Sequence, residues 1–235
     1  MRLDKLLAHS GFGTRKEVKA LLKKSVVTVN GKTEKEGKFQ VDERNDFIQV
    51  LGEPVVYEEF VYFMLHKPKD VISATNDAFH PTVIDLLDPS DQVQEPFPVG
   101  RLDIDTEGLL LLTNDGALAH ELLSPKKHVP KLYQAWIEGQ VDEEDQLAFK
   151  EGIELDDGYV CKPSKLIILD KDESFTFVQI TIHEGKYHQI KRMFEAVNKK
   201  VRYLKRIAMG SLTLDDNLVL GDYRPLTESE LKALK

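Results

Sequence analysis

The sequence lacks the features that mark a disulfide-stabilised, secreted or membrane-spanning protein. Its 235 residues include one cysteine, Cys161, which excludes an internal disulfide and a metal cage built from cysteines. No apolar run approaches the roughly 20 residues that cross a bilayer. The charged amino terminus also lacks the apolar core of a signal peptide. We therefore expect a cytoplasmic protein with no membrane association.

Common cofactor motifs are absent from the sequence as well. It contains no GxGxxG, Walker A, HExxH or GxSxG pattern. The seven histidines are scattered, and the closest pair, His183 and His188, has no acidic or cysteine partner at the spacing of metal ligands. We expect neither a nucleotide cofactor nor a metal ion.

Charge is strongly segregated along the chain, although the net charge of −8 argues at first against a polyanionic partner. Residues 1–24 contain seven basic and two acidic side chains (net +5), and residues 186–206 contain eight and one (net +7). Residues 140–157 contain one basic and eight acidic side chains (net −7). Two basic segments on an acidic body favour oriented docking to nucleic acid, although each segment alone would also fit a solvated helix face.

The first part of the sequence predicts a small module of two helices and two strands. Three leucines at helical spacing open the chain, and Thr14 can cap a second helix. Strands are expected at residues 26–29 and 46–50, with Asn30-Gly31 as a tight turn. An acidic stretch follows, so we expect the module to end at residue 58.

Residues 59–235 have the pattern of a larger domain. Strands are expected at residues 61–65, 109–113, 132–137, 165–169 and 175–183. Helices are expected at residues 117–123, 142–150 and 190–197, and from residue 228 to the end after a capping box. Because helices and strands are intermixed, we assign the α+β class.

The segment from Gly100 to Gly116 contains the best candidates for chemistry. Asp103, Asp105 and Glu107 lie in a polar loop that leads into a buried apolar strand, a place where a rigid scaffold can present a reactive group. An aspartate in such a loop can equally cap a turn. Spacing alone leaves both interpretations open.

Gly100-Arg101-Leu102-Asp103 resembles the GRLD motif of pseudouridine synthases, specifically of the branch that modifies ribosomal RNA. Three further stretches agree with that family in order and separation, namely Phe63 to Pro68, Lys131 to Tyr133 and Glu184 to Phe194. The opening residues, with Arg2 to Leu7, Ser10-Gly11, Arg15 and Val29 to Gly31, resemble an S4-type RNA-binding module. The resemblance covers nearly the whole chain.

The resemblance implies both a fold and an activity. It implies an S4-type αα-β domain at residues 1–58, followed at residues 59–235 by a catalytic domain with a mixed, largely antiparallel sheet. Pseudouridine synthases isomerise uridine without a cofactor: they break the N-glycosidic bond, turn the detached base and join its C5 to the sugar. The base must leave its stack for this chemistry.

Carried over residue by residue, the resemblance makes Asp103 the catalytic aspartate, Tyr133 the tyrosine that packs on the uracil, and Lys191 the cation that keeps the aspartate ionised. The carboxylate can act as a nucleophile or assist elimination, and both routes stay open. Without the resemblance, Tyr133 would fit an ordinary core and Lys191 a solvated helix face. RNA contacts are expected from Arg2, Arg15, Lys19, Arg101, His188, Gln189 and Arg192.

The small-subunit branch of the family is favoured by residues 80–83, by residues 101–106 and by a chain that ends soon after residue 227. That branch implies a monomer that modifies 16S ribosomal RNA, at uridine 516, within an assembling small subunit. His66 and Asp70 stand where many relatives have Asn and Gly, and neither is at a catalytic position.

Three alternatives stay open. The same chemistry could act on 23S ribosomal RNA, or the chain could be a ribosome-assembly factor whose second domain is inactive. It could also be a glycoside hydrolase that uses Asp103 with a second carboxylate. The presence of Asp103, Tyr133 and Lys191 weighs against an inactive factor, and a hydrolase leaves both basic segments unexplained.

Overall fold

The computed structural model describes all residues from Met1 to Lys235. Contacts divide the chain into two units, the first made of Met1–Val61 with Leu87–Pro96 and the second of Tyr62–Leu86 with Phe97–Lys235. No sequence pattern indicates that Leu87–Pro96 belongs to the first unit. None of the helices is both long and apolar enough to cross a membrane.

The first unit contains three helices and a four-stranded antiparallel sheet. The helices are α1 (Leu3–His9), α2 (Arg15–Lys23) and α3 (Pro89–Gln92), and the strands are β1 (Val27–Val29), β2 (Lys32–Thr33), β3 (Ile48–Val50) and β4 (Glu53–Pro54). The strand order is β2-β1-β3-β4. Apolar side chains of α1, α2 and the sheet form its core, including Leu3, Leu7, Val18, Leu22, Val27 and Ile48.

Two local signals in the first unit form as the sequence predicts. The Thr14 hydroxyl accepts a hydrogen bond from the backbone N–H of Glu17, and the Glu17 carboxylate accepts one from the N–H of Thr14 at 2.7 Å. Asn30 and Gly31 join β1 to β2 with φ angles of 50° and 78°. Positive φ at both central residues is what a tight two-residue hairpin requires, so the predicted helix cap and the predicted turn are confirmed.

The second unit contains a nine-stranded sheet and four helices. The strands are β5 (Tyr62–Lys67), β6 (Phe97–Pro98), β7 (Glu107–Thr113), β8 (Lys131–Glu138), β9 (Lys165–Lys171), β10 (Phe175–Ile182), β11 (Lys200–Met209), β12 (Leu212–Thr213) and β13 (Tyr223–Pro225). The helices are α4 (Gly116–Leu123), α5 (Glu143–Glu151), α6 (Gln189–Ala196) and α7 (Glu228–Leu234).

The sheet of the second unit has the strand order β13-β5-β7-β11-β8-β10-β9, while β6 pairs with β7 and β12 with β11. Only the pairing of β7 with β11 is parallel. The consecutive leucines of β7 are fully buried, as expected of a strand covered on both faces. The predicted α+β fold with a mixed, largely antiparallel sheet is therefore confirmed.

Strand β11 does not follow from its sequence pattern. Residues 186–206 are predicted to form a basic surface segment, whereas the structure places the last part of that segment between β7 and β8 in the middle of the sheet. Arg206 in β11 is only 2% exposed. A central strand is ordinarily apolar, so the basic residues of β11 prevent its recognition as a strand from the sequence pattern.

Four acidic side chains between residues 138 and 157 pair with the basic segment. The ion pairs join Arg192 to Asp156 and Asp157, Lys199 to Asp145, and Arg202 to Glu138. The net charge of +7 at residues 186–206 is therefore partly neutralised within the second unit. This corrects the expectation of an open basic surface along that whole segment.

The parallel pairing of β7 with β11 depends on a glycine. Gly108 lies opposite Arg206 in the register of the two strands. It has a φ of 108°, and a Cβ atom added there would lie 2.2 Å from the backbone oxygen of Arg206. A larger residue is excluded by both its backbone conformation and the close approach of the two strands.

We expect Gly108→Ala to lower the free energy of unfolding by about 3 kcal/mol or more, because the new methyl group forces the strands apart and alanine disfavours positive φ. Gly116→Ala is the matched control, since a Cβ atom at Gly116 meets nothing within 4 Å. The control should keep or slightly raise stability. Urea unfolding followed by circular dichroism measures both variants, and equal stabilities would contradict the close-approach explanation.

Candidate active site

A carboxylate and an ammonium group meet in a cleft of the second unit. Asp103 lies in the loop before β7, and Lys191 lies near the start of α6. Lys191 Nζ donates a hydrogen bond to Asp103 Oδ2 at 3.0 Å, and the side chains of Lys191 and Asp103 are 19% and 29% exposed. The structure thus brings together two of the three catalytic residues predicted from the sequence.

Lys191 also contacts a second carboxylate. Its Nζ lies 2.6 Å from Asp105 Oδ1. Burial favours a lower pKa for Lys191, but its hydrogen bonds to Asp105 and Asp103 outweigh burial and raise that pKa above its ordinary value. Burial likewise favours a higher pKa for Asp105, and the hydrogen bond from Lys191 lowers it. Lys191 is therefore a cation, and Asp105 an anion, at neutral pH.

Tyr133 lines the same cleft, which has a volume of about 80 Å³ and also includes Asp103 and Lys191 in its walls. The residue belongs to β8 and is 7% exposed. Leu204 and Ile182 add apolar surface to the cleft. An aromatic ring in such a wall is suited to pack against a planar base, and the predicted constellation of carboxylate, cation and aromatic ring is complete.

A buried lysine holds the loop that carries Asp103. Lys67, the last residue of β5, has no exposed surface. Its Nζ donates hydrogen bonds to the backbone oxygens of Pro68, Asp103 and Thr106 at 2.9, 3.1 and 3.0 Å. Burial lowers the pKa of Lys67 to about 8. Sequence reasoning gave this residue no role, although a lysine that ends a run of apolar strand residues is a signal of an unusual environment.

Two further contacts fix the same loop. The Ser73 hydroxyl donates to the backbone oxygen of Leu102 at 2.9 Å and accepts from the N–H of Leu102 at 3.0 Å. The N–H of Asp70 donates to the backbone oxygen of Ile104 at 2.9 Å. The backbone on both sides of Asp103 is therefore held from the segment that follows β5, which makes the carboxylate part of a rigid frame.

Two family models match this chain. Residues 61–196 match the model of RNA pseudouridylate synthases, and residues 1–48 match that of the S4 domain. The chain belongs to the RNA pseudouridine synthase family. The part that matches the synthase model contains Asp103, Tyr133 and Lys191.

Relatives of the synthase align over their full length. The Bacillus subtilis RNA pseudouridine synthase YtzG is 53% identical over 100% of this chain and 98% of its own length. Ribosomal small subunit pseudouridine synthase A of Vibrio cholerae is 40% identical over 100% of this chain and 99% of its own length. Ribosomal large subunit pseudouridine synthase B of Bacillus subtilis is 42% identical over 100% of this chain and 95% of its own length. A crystal structure of a pseudouridylate synthase is 39% identical, covers 100% of both chains and has a TM-score of 0.70.

These findings confirm the family that the sequence motifs predicted. An S4 domain precedes a pseudouridine synthase domain with a mixed sheet. The protein is an RNA pseudouridine synthase, and the glycoside hydrolase considered from the sequence is excluded.

His188 and Tyr187 form an aromatic pair beside the carboxylate of the synthase. Their rings are stacked, with centroids 3.9 Å apart and an interplanar angle of 16°. His188 Nε2 lies 3.7 Å from Asp103 Oδ1, and Tyr187 is 75% exposed. His188, a predicted RNA contact, therefore lies beside the carboxylate of Asp103. Tyr187 was not predicted as a contact, and its ring is exposed to solvent.

Gln189 contributes to the frame of the cleft. The residue is 4% exposed. Its Oε1 accepts a hydrogen bond from the N–H of Lys186, and its Nε2 donates one to Glu184 Oε1, both at 2.9 Å. Both ends of the amide are bonded within the chain, which holds Gln189 in place at the cleft, and the RNA contact expected from the sequence stays a prediction.

The two arginines expected to contact RNA near the cleft differ in their surroundings. Arg101 is exposed, lines the cleft and makes no hydrogen bond or ion pair within the chain. Arg192 is paired with Asp156 and Asp157. Arg101 is therefore available to an RNA phosphate, whereas the charge of Arg192 is already compensated.

The three RNA contacts predicted in the S4 domain lie on its surface. Arg15 and Lys19 are exposed residues of α2. Arg2 binds the buried carboxylate of Asp4 with two hydrogen bonds of 2.9 and 2.6 Å. Arg15 and Lys19 are thus free to meet a polyanion, and Arg2 is held in place by Asp4.

Stability should rise with pH as Lys67 loses its proton. The unfolded chain, with the ordinary lysine pKa of 10.5, binds more protons than the fold, in which the pKa is about 8. The penalty of burying the ammonium group is present below pH 8 and disappears as the pH approaches 10.5, a gain of about 2 kcal/mol between roughly pH 7 and 9.5.

Lys67→Met isolates this contribution, because methionine fills the same linear space without a charge. Urea unfolding of both proteins at several pH values gives the difference in their free energies of unfolding. The wild type should gain stability relative to Lys67→Met as the pH rises. A difference that stays constant would contradict the lowered pKa of Lys67.

Proposed function

We propose that this synthase converts a specific uridine of ribosomal RNA to pseudouridine, with Asp103, Tyr133 and Lys191 as its catalytic residues. The observation that carries the proposal is the carboxylate of Asp103, bonded to Lys191 at 3.0 Å in a cleft that Tyr133 lines. Residues 1–58 dock the RNA, and residues 59–235 contain the catalytic site.

The two oxygens of Asp103 have different roles in this proposal. Lys191 holds Oδ2, whereas Oδ1 has no hydrogen bond within the chain and faces His188 at 3.7 Å. Oδ1 is therefore the oxygen that meets the nucleoside. It either attacks C1′ or C6 as a nucleophile or assists elimination at the sugar, and the ammonium group of Lys191 pairs with the carboxylate in both routes.

Tyr133 has two uses in the reaction. The uridine must leave its stack to reach Asp103, and the ring of Tyr133 replaces part of the lost stacking. Its hydroxyl can also move a proton when C5 becomes aromatic again after the new bond forms. Both uses need Tyr133 beside the bound base, and its place among the residues that line the cleft supports them.

We further propose uridine 516 of 16S ribosomal RNA as the target. The full-length similarity to ribosomal small subunit pseudouridine synthase A of Vibrio cholerae supports this target, as do residues 80–83 and 101–106 of the sequence. The enzyme would act in the cytoplasm as a monomer on an assembling small subunit. A 23S target is the second candidate, because ribosomal large subunit pseudouridine synthase B is 42% identical.

Asp103→Asn should lower the rate of pseudouridine formation in a ribosomal RNA fragment by at least about 1,000-fold, because an amide can neither attack nor accept a proton. RNA affinity should change by less than about threefold, since one cleft residue among many contacts is altered. Single-turnover assays and binding titrations measure the two quantities.

Asp105→Asn is the matched control for Asp103→Asn, since Asp105 binds the same lysine but its side chain is 60% exposed. We expect the Asp105→Asn variant to lose no more than about tenfold in rate, because the substitution weakens only one of the two contacts that position Lys191. A folded Asp103→Asn variant with wild-type turnover would overturn the proposed mechanism.

Two substitutions separate the uses of Tyr133. Tyr133→Phe keeps the ring and should lower turnover by about 100-fold if the hydroxyl moves a proton. Tyr133→Leu removes the ring as well and should also weaken binding of the target RNA. Full turnover by the phenylalanine variant would restrict Tyr133 to stacking.

The target can be mapped directly in cells that lack this protein. A single pseudouridine missing at position 516 of 16S ribosomal RNA supports the first target. A single site missing from 23S ribosomal RNA supports the second candidate. Complete modification of both RNAs would overturn a ribosomal target.

A further inference from the structure

A second, larger cavity adjoins the catalytic cleft in the same unit. It has a volume of about 270 Å³ and shares Arg101, Tyr133 and Lys186 with the cleft. Lys131 and Arg206 line the cavity but not the cleft. No role in the reaction described above falls to either of these two residues.

Arg206 is an unusual occupant of a sheet interior. It is 2% exposed, and its Nε donates to the backbone oxygen of Leu109 at 2.8 Å. Its Nη2 is buried and has no hydrogen-bond partner in the chain. A buried guanidinium without a carboxylate is unfavourable unless a further acceptor is supplied.

Lys131 places a second positive charge at the same cavity. Its Nζ makes one hydrogen bond, to the backbone oxygen of Val129 at 3.3 Å. Burial and the nearby charge of Arg206 lower the pKa of Lys131. The two cations therefore repel each other, and neither is paired with a carboxylate.

Glu184 also lines the cavity, and its carboxylate is already bonded to Tyr159 and Lys162 of the same wall and to Gln189. Its Oε1 accepts from the N–H of Lys162 and from Gln189 Nε2, both at 2.9 Å, and its Oε2 accepts from the Tyr159 hydroxyl at 2.7 Å. The cavity is thus built with an excess of positive charge, which an anion would compensate.

We propose that this cavity binds one backbone phosphate of the RNA, next to the uridine that enters the catalytic cleft. The assignment rests on the proposed function, because a nucleotide bound against Tyr133 brings its flanking phosphates to the neighbouring cavity. Phosphate oxygens suit both the fork of an arginine and the point charge of a lysine. A phosphate held there fixes the position of the chain while the base is turned.

Lys131→Gln tests the site, because Arg206 is too deeply buried to be changed without risk to the fold. Binding is measured in an Asp103→Asn background, with the ribosomal RNA fragment that the mapping identifies. Loss of one phosphate contact should weaken binding about tenfold and reduce the slope of log K against log salt by about 0.7 to 1. Lys131→Arg should restore the slope, and Lys171→Gln, at an exposed lysine outside the cavity, should leave it unchanged.

RNAs with a single methylphosphonate identify the phosphate. The Asp103→Asn protein should lose affinity at one position beside the target uridine, and the Lys131→Gln double variant should be insensitive at that position while it responds normally elsewhere. Equal losses at every position would indicate only a general charge effect and would overturn the assignment, as would a wild-type salt slope for Lys131→Gln. Because binding is measured, this outcome is distinct from a failure of the pseudouridine assay.

Discussion

The parallel pairing of β7 with β11 is the constraint on which the proposed catalytic site depends. The loop of Asp103 leads directly into β7, and α6 with Lys191 precedes β11. Arg206 of β11 lies opposite Gly108 on one side and Tyr133 of β8 on the other. The row formed by Gly108, Arg206 and Tyr133 therefore sets how far the loop before β7 and the helix before β11 lie from the tyrosine of β8. The glycine in that row allows β7 and β11 to approach each other.

The basic side chains of the second unit fall into two groups, those paired with carboxylates and those without such a partner. Arg192 of α6, Arg202 of β11 and Lys199 between them are paired with acidic side chains from residues 138–157. Around the cleft and its neighbouring cavity, Arg101, Lys131 and Arg206 have no such partners. An acidic protein can thus keep unpaired cations around the cleft, because several of its carboxylates pair with basic side chains elsewhere in the unit.

Most helices and strands could be predicted because caps, turns and apolar spacing act over a few residues, as at Thr14 and at the leucines of β7. Strand β11 could not, because Arg206 is buried through a bond to Leu109, almost a hundred positions away. Lys67 was missed for the same reason: its acceptors lie in the loop of Asp103. Asp103, Tyr133 and Lys191 occupy separate elements, so only the family resemblance could group them.

The position of β11 in the sheet also bears on the order in which the chain can fold as it is synthesised. This strand lies between β7 and β8 but is made after both, and after β9 and β10. A nascent chain that has not yet released Lys200–Met209 has its catalytic loop and its tyrosine on strands with no common neighbour. Such late, long-range pairing slows folding and leaves strand edges open. The loop of Asp103 and the strand of Tyr133 therefore gain their common neighbour only when β11 has paired with both strands.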